Sequence, residues 1–133
     1  MSAPRADKAV RLAQGVQKLL LDMGYDSLTE VKLRIRRRVD VMGIDEKGRI
    51  IIVEVKSGPA YRVAEKSREY LDFCDEFYFA VDADFPQGLI PAENGLIVAD
   101  SFGGVILRPS SDFNLNAARR RNVTLRFGKA PHQ

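Results

Sequence analysis

Residues 38–57 read RVDVMGIDEKGRIIIVEVKS, and this stretch predicts two adjacent β-strands joined by a tight turn. Its two halves, 38–45 and 49–57, are rich in β-branched residues, and residues 45–48 supply Asp, Glu, Lys and Gly for the turn. A type I turn followed by Gly48 in the left-handed conformation predicts a hairpin loop of three residues. In that register the numbers of opposed residues sum to 94, so Asp40 is expected directly across from Glu54.

Alternation of side chains along this hairpin is expected to place three charged groups on one face. That face carries Asp40, Glu54 and Lys56. Because the remaining residues on both faces are apolar, the strands are expected to lie in the interior of a sheet. Met42, Ile44, Ile50 and Ile52 are expected on the face with the charges, and Val39, Val41, Ile51, Val53 and Val55 on the opposite face.

A buried cluster of Asp40, Glu54 and Lys56 needs compensation, because unpaired buried charge is costly. Lys56 could bridge the two carboxylates as a structural ion pair. A divalent cation compensates two like-charged carboxylates better, and Mg²⁺, with Mn²⁺ as a substitute, takes oxygen ligands of this kind. Lys56 would then hold an attacking water and offset charge on a scissile phosphate, so the cluster suits phosphodiester hydrolysis.

Two scarce residue types exclude other chemistries. Cys74 is the single cysteine and His132 the single histidine of the 133 residues. Disulfides, cysteine-based zinc sites, Ser-His-Asp triads and histidine-metal nucleases therefore lack a required group. Catalysis by this chain would use carboxylates, lysines, hydroxyls and a hard metal ion.

The net charge of +3 is unevenly distributed. Residues 1–38 hold nine Lys/Arg and four Asp/Glu, residues 39–100 hold six and thirteen, and residues 101–133 hold six and one. Basic ends around an acidic middle indicate a phosphate-binding rim around a site with anionic ligands, although ordinary solvated surface produces the same pattern.

The length suits a single compact domain spanning residues 1–133. The apolar stretches are too short for a membrane span, and the charged N-terminus lacks the apolar core of a signal peptide. We therefore expect a cytoplasmic protein with no membrane partner, associated with the nucleoid when it is bound to DNA.

The remaining elements are predicted from periodicity and turn residues. The order α-β-β-β-α-β-β-β-α predicts an α/β fold with a central mixed sheet flanked by helices. From Asn114 a helix is expected, although 123–127 could equally be a strand. The other predicted elements are a helix over 6–23 ended by Gly24, a strand over 28–35, a helix near 60–74, a strand over 76–82 and a hairpin of 95–100 with 104–108.

This arrangement resembles the PD-(D/E)XK nucleases. Asp40, thirteen intervening residues and then Glu54-Val55-Lys56 are similar to their D-(x)n-E-x-K signature, and the element order is similar to their restriction-endonuclease-like core. More specifically, the chain is identified as a member of the MmcB-type DNA repair family. The matching segments are LTEV (28–31), RVDVMGID (38–45), IIIVEVKS (50–57), EYLDFCDEFYFAVDADFP (69–86), GLIVAD (95–100) and TLRF (124–127).

The resemblance implies a metal-dependent DNA endonuclease in DNA repair that hydrolyses phosphodiester bonds with a metal-activated water. The implied metal ligands are Asp40, Glu54 and the main-chain carbonyl of Val55. The alternative is a catalytically silent protein of a repair pathway that binds DNA structures or acts as an adaptor. The chain departs from the family at Lys66, which is followed by Ser67-Arg68 where members tend to carry Lys-Trp-Pro. This puts the docking of the second helix, and hence substrate preference, in doubt.

Glu30 is a further candidate for the catalytic site, and Lys66 and Tyr70 are candidates for DNA contact beside it. Glu30, on the neighbouring strand, is expected to complete the metal site, with an ordinary solvent-facing glutamate as the alternative. Lys66 and Tyr70 are four residues apart and share a helical face. They resemble the Gln-x-x-x-Tyr element of some superfamily members, although Tyr70 could equally fill core space.

Two arginine clusters are candidates for DNA contact, because Lys and Arg bind phosphates with release of counterions. We expect one cluster to contact DNA and the other to be a solvated face. Besides DNA, a second copy of the chain or another repair protein is the kind of partner expected. The clusters are Arg34, Arg36, Arg37 and Arg38, and Arg119, Arg120 and Arg121.

Overall fold

The computed structural model describes residues 4–33, 35, 37–57 and 68–130. Within these residues it contains two long helices and six strands of one sheet. Short 3₁₀ turns precede β4 and β5. The elements are α1 (Pro4–Asp22), β1 (Tyr25–Lys32), β2 (Arg38–Asp45), β3 (Ile50–Val55), β4 (Glu76–Val81), β5 (Gly95–Asp100), β6 (Gly103–Arg108) and α2 (Ala117–Lys129).

The sheet follows chain order, β1-β2-β3-β4-β5-β6. β3, β4 and β5 run parallel to one another, whereas the β1–β2, β2–β3 and β5–β6 pairs are antiparallel. The predicted α/β class with a mixed open sheet is confirmed. No helix in the described part of the chain is long and apolar enough to cross a membrane.

The β2–β3 hairpin has the predicted register. Val41 pairs with Val53 and Ile44 with Ile50, so opposed numbers sum to 94. Gly48 has φ of +82°, the left-handed conformation that the turn requires. The Asp45 carboxylate accepts hydrogen bonds from the N–H groups of Lys47 and Arg49, both at 2.9 Å. Local turn chemistry therefore sets the pairing of these two strands.

Two boundaries differ from the sequence predictions. The first strand was expected over 28–35, but β1 begins at Tyr25, because Asp45 at the end of β2 extends the ladder to that residue. β1 ends at Lys32, after which the Leu33 N–H donates to the Arg37 carbonyl at 2.9 Å and closes a turn. Of the helix expected near 60–74, residues 60–67 lie outside the described residues, and Arg68–Tyr70 are helical.

Residues 123–127 are helical, which decides between the two alternatives for this segment. Asn116 caps α2, and its side chain accepts a hydrogen bond from the Arg119 N–H at 2.8 Å. The helix also buries Val123 completely in the core. The cap at one end and the buried apolar face together favour a helix over a strand.

Each face of the sheet carries its own hydrophobic cluster. On one face, Leu12, Val16 and Leu20 of α1 pack against Val41 and Val53. The opposite cluster joins sheet residues to the aromatic side chains near β4 and to α2. Its members include Met42, Ile50, Ile52, Tyr70, Phe77, Phe79 and Val123.

A buried carboxylate, Asp75, ties α2 to the sheet. Asp75 is 1% exposed and accepts hydrogen bonds from the N–H groups of Ile50 at 2.8 Å and Leu115 at 3.2 Å. The Arg120 guanidinium donates to both of its oxygens, at 2.6 and 2.8 Å. Burial acts to raise the pKa of Asp75, but the hydrogen bonds from Arg120 and from these backbone groups outweigh burial and lower it.

Candidate active site at the open end of the β2–β3 hairpin

The regular strand ladders are interrupted at Asp40. The β2–β3 pairing runs from Ile44 only as far as Val41. The β1–β2 pairing includes Thr29 with Val41 and Val31 with Val39, but it omits Glu30 and Asp40 between them. Glu30 has φ of +56°, a left-handed conformation that is unusual for a non-glycine residue. The strands are therefore locally distorted where these two acidic residues face each other.

Because of this distortion, two side chains of the hairpin do not lie on the faces predicted for them. Val39 was expected on the face of Val41, but it packs in the cluster of Met42 and Ile52 on the other face. Asp40 was expected on the face of Met42, but it lines a cavity on the α1 side of the sheet, together with Val55. Strict alternation fails here because the backbone irregularity at Glu30 and Asp40 changes the face on which Val39 and Asp40 lie relative to Val41 and Met42.

The structure brings Asp40 and Glu54 together at this point, as the register predicts. The Val55 N–H donates to Asp40 Oδ2 at 2.8 Å, and the Asp40 N–H donates to Glu54 Oε1 at 3.4 Å. In the register predicted for the hairpin, Val55 would pair with Val39. The Asp40 carboxylate therefore takes the place of a main-chain acceptor for the Val55 N–H. The two carboxyl groups also lie within hydrogen-bonding reach of each other.

Glu54 is the more perturbed of the two acidic groups. It is 6% exposed. Burial raises its pKa to about 8, and the negative charge of Asp40 contributes to the increase. The Asp40 N–H and the positive charge of Lys56 act in the opposite direction. Two adjacent carboxylates in a buried site resist double ionisation.

Tyr70 borders the same site. Its ring is 4% exposed and stacks on Phe77 with centroids 5.9 Å apart, so it does fill core space. Its hydroxyl donates to the Arg38 carbonyl at 3.4 Å. Burial and the charges of Glu54 and Asp40 raise the pKa of Tyr70, so the hydroxyl lies in the electrostatic field of both carboxylates. Lys66, predicted beside it, lies outside the described residues.

A cavity of about 430 Å³ gives access to Asp40 from the α1 side. Gln14 and Gln17 of α1 form part of one wall, and Thr29, Glu30 and Val55 lie on the sheet side. Glu30 thus shares the cavity with Asp40. Across residues 4–33, 35, 37–57 and 68–130, however, no three His, Cys, Asp or Glu side chains form a group that could hold a metal ion.

The oxygen atoms at this site suit a hard cation that binds only two carboxylates of the protein. Mg²⁺ commonly binds one or two carboxylates and takes its other ligands from water and substrate phosphate. The Lys56 N–H donates to the Ala80 carbonyl of β4 at 2.9 Å. Residue 55 therefore directs its backbone groups the other way, towards β2 and the Asp40 carboxylate. Asp40, Glu54 and the Val55 carbonyl are the oxygen ligands available here.

A family model described as DNA repair protein MmcB-like matches residues 1–133. The chain belongs to the MmcB-like family. Among solved structures, a protein of unknown function from Silicibacter pomeroyi is similar, with 36% sequence identity and a TM-score of 0.85. The similarity covers 96% of this chain and 86% of that chain. No match was found among the curated proteins.

The predicted arginine clusters of this MmcB-like protein have different surroundings. Arg37 pairs with Glu69 at 2.9 Å, and Arg119 lies over the Phe73 ring, 4.5 Å from its centroid. Arg120 uses four N–H donors internally, on Asp75 and on the carbonyls of Gly48 and Leu115. Arg38 and Arg121 are exposed, whereas Arg34 and Arg36 lie outside the described residues.

Three basic residues near the site were not among the residues predicted from the sequence. Lys32, Arg126 and Lys129 line a groove with Arg38, beside the cavity that contains Asp40. Arg126 and Lys129 are three residues apart on α2 and so share a helical face. That spacing could have identified them, but the choice between helix and strand for 123–127 had to be made first.

Proposed function

We propose that this MmcB-like protein is a Mg²⁺-dependent DNA endonuclease of the PD-(D/E)XK type with a restriction-endonuclease-like core. One observation carries the proposal. Two carboxylates, Asp40 and Glu54, lie against each other at the end of a hairpin, beside a cavity. The positive charge of Lys56 is close enough to act on the pKa of Glu54. Membership of a DNA repair family supports a nucleic-acid substrate.

The energetic cost of this arrangement supports a functional role. Burial and the negative charge of Asp40 raise the pKa of Glu54, so the charged form of this carboxyl group is disfavoured in the site. A neutral or apolar pair would fit the interior of the sheet without that cost. A divalent cation would favour the doubly ionised form, because its charge reverses the repulsion between the carboxylates.

Each residue has a distinct role in this proposal. Asp40, Glu54 and the Val55 carbonyl would hold Mg²⁺ or Mn²⁺, which when bound lowers the pKa of a water molecule and offsets phosphate charge. Lys56 would orient the attacking water and stabilise negative charge on the scissile phosphate. The Tyr70 hydroxyl would take part in the hydrogen bonding around this site. Glu30 would reach the metal only after a local rearrangement of β1, since no three-residue ligand group exists among the described residues.

Two isosteric changes test the proposal. We expect purified protein to nick plasmid DNA with Mg²⁺ or Mn²⁺ and to lose this activity in EDTA. Asp40→Asn and Glu54→Gln should each abolish nicking while leaving the fold and DNA binding intact, because the amides keep hydrogen-bond acceptors. Lys56→Met should also abolish it. Asp26→Asn and Lys47→Met change exposed residues elsewhere and serve as matched controls.

The second candidate is an adaptor that binds DNA structures without cutting them. Plasmid, flap, junction and single-stranded DNA should each be tested with both metals. Salt-sensitive binding with no cleavage of any of these substrates would reject the nuclease and favour the adaptor. Cleavage that persists in Asp40→Asn and Glu54→Gln would reject the site itself.

A further inference from the structure

A basic groove lies between α2 and the edge of the sheet and shares two lining residues, Thr29 and Glu30, with the cavity at Asp40. Its volume is about 640 Å³. We call it the basic groove. It is lined by Lys32, Arg38, Arg126 and Lys129, with Glu30 the one acidic residue in its lining and Leu125 among the others.

Two structural elements form the walls of the basic groove. On one side, Asn122, Leu125, Arg126 and Lys129 recur at the spacing of one helical face of α2. On the other side, the end of β1 and the start of β2 contribute Lys32 and Arg38. The cations therefore face each other across the groove from both walls, as expected for a surface that holds a linear anion between them.

These four cations have no carboxylate partner in the part of the chain that the structure describes. Among the described residues, none of Lys32, Arg38, Arg126 and Lys129 forms an ion pair, whereas Arg49 and Arg120 are paired with carboxylates. In addition, Asn122 Oδ1 and Arg126 Nε are shielded from solvent and have no hydrogen-bond partner in the described part of the chain. A ligand that carries several phosphates would supply the missing negative charge and a hydrogen-bond acceptor for Arg126.

The basic groove and the cavity at Asp40 lie on opposite faces of the sheet and meet at its edge strand, β1. Thr29 and Glu30 of β1 line both of them, so these two residues mark the sheet edge that separates the groove from the cavity. The left-handed conformation of Glu30 lies at this boundary. A chain lying in the groove would therefore reach the Asp40–Glu54 site by passing over the edge of the sheet at β1.

We propose that the basic groove binds the phosphodiester backbone of the DNA strand that enters the Asp40–Glu54 site. This inference rests on the proposed function for the meaning of that site, but it makes a separate claim about binding. The groove supplies phosphate contacts, which position a strand without reading its sequence. Binding through the groove is accordingly expected to be strongly salt-dependent and weakly sequence-dependent.

The experiment measures binding without cleavage. Fluorescence anisotropy of a short labelled duplex and of its single strand is followed in EDTA over a series of salt concentrations. Two double variants, Arg126→Gln/Lys129→Gln and Lys32→Gln/Arg38→Gln, each remove one wall of charge. Each should weaken binding and reduce the slope of log K against log salt by about 2, since each lost phosphate contact contributes about 1. Arg11→Gln/Lys47→Gln removes two exposed cations outside the groove lining and should leave the slope unchanged.

The outcomes separate the two proposals. An unchanged slope in both groove variants, with folded protein verified by circular dichroism, would overturn the groove proposal even if plasmid nicking is observed. Reduced slopes in the groove variants, with an unchanged slope in Arg11→Gln/Lys47→Gln, support the groove proposal. If that result occurs and no DNA is cut by the wild type, the groove stands as a DNA-binding surface and the nuclease proposal fails.

Discussion

Replacing Asp75 by alanine should be among the most destabilising single changes in this protein. The carboxylate is buried and connects the start of β3, the segment before α2, and α2 itself. Its removal leaves the N–H groups of Ile50 and Leu115 without acceptors, and each such buried group costs about 1–3 kcal/mol. It also removes the charge partner of Arg120.

These contacts determine how much the free energy of unfolding should fall in Asp75→Ala. Breaking a buried ion pair on one side costs about 3–5 kcal/mol. Arg120 is 31% exposed and keeps its bonds to two carbonyls, which limits the cost on its side. We therefore expect Asp75→Ala to lower the free energy of unfolding by about 3–4 kcal/mol, out of a total of about 5–15 kcal/mol that is typical of a domain.

Urea unfolding followed by circular dichroism measures this change. The midpoint should fall while the slope against urea stays constant, because the surface exposed on unfolding is unchanged. Asp72→Ala is the matched control: it removes an exposed carboxylate three residues away and should cost less than about 0.5 kcal/mol. A loss below about 1 kcal/mol for Asp75→Ala would refute the reasoning, because it would mean that the four hydrogen bonds contribute nothing net.

The same group predicts a pH dependence with a definite sign. The pKa of Asp75 in the folded protein lies below its ordinary value of 3.8. The ionised form therefore contributes stability that is fully present above that value and is lost as the pH falls through the lower, folded-state pKa. The stability difference between the wild type and Asp75→Asn should be constant from neutral pH down to the ordinary value of 3.8 and should shrink below it. A difference that grows on acidification would contradict this assignment.

Three further predictions concern the site and its packing. Mg²⁺ at 100 times its Kd should stabilise the wild type by about 2.7 kcal/mol, seen as a higher Tm, and Asp40→Asn should show no such shift; an equal shift in both would reject Asp40 as a ligand. Glu30→Gln should strengthen DNA binding in EDTA, because it removes a negative charge from the basic groove. If this variant binds DNA but no longer cleaves it, Glu30 is a metal ligand. Gly15→Ala should destabilise the protein in thermal unfolding, because the new Cβ would overlap the Asp100 carbonyl. Gly128→Ala has open space around it and should stabilise α2 by up to about 1 kcal/mol. Equal effects of the two changes would refute the close contact at Gly15.

Membership of the MmcB-like family supports a role in DNA repair. It does not distinguish a protein that cuts DNA from one that only binds it. The carboxylate pair and the basic groove are adjacent but separable features of the structure. A nuclease needs both of them, whereas an adaptor needs only the groove. Binding and cleavage measured on the same variants therefore distinguish the two functions.

The pairing of β2 with β3 was predictable from the sequence because its determinants are local. Gly48, the turn residues beside it and two β-branched runs set a register in which Asp40 faces Glu54, and every partner lies within the same hairpin. The candidate catalytic pair could be proposed for this reason. The D-(x)n-E-x-K spacing is a consequence of the same short-range geometry.

Other features depended on contacts between residues far apart in the chain. The helical state of 123–127 follows from the burial of Val123 against the sheet, and Arg120 is committed to Asp75, 45 residues earlier. The shift of Asp40 to the α1 face requires the distortion at Glu30 on a neighbouring strand. Periodicity reports only which residues of one element share a face. Which elements meet, and which charges are neutralised when they do, is decided by packing in three dimensions.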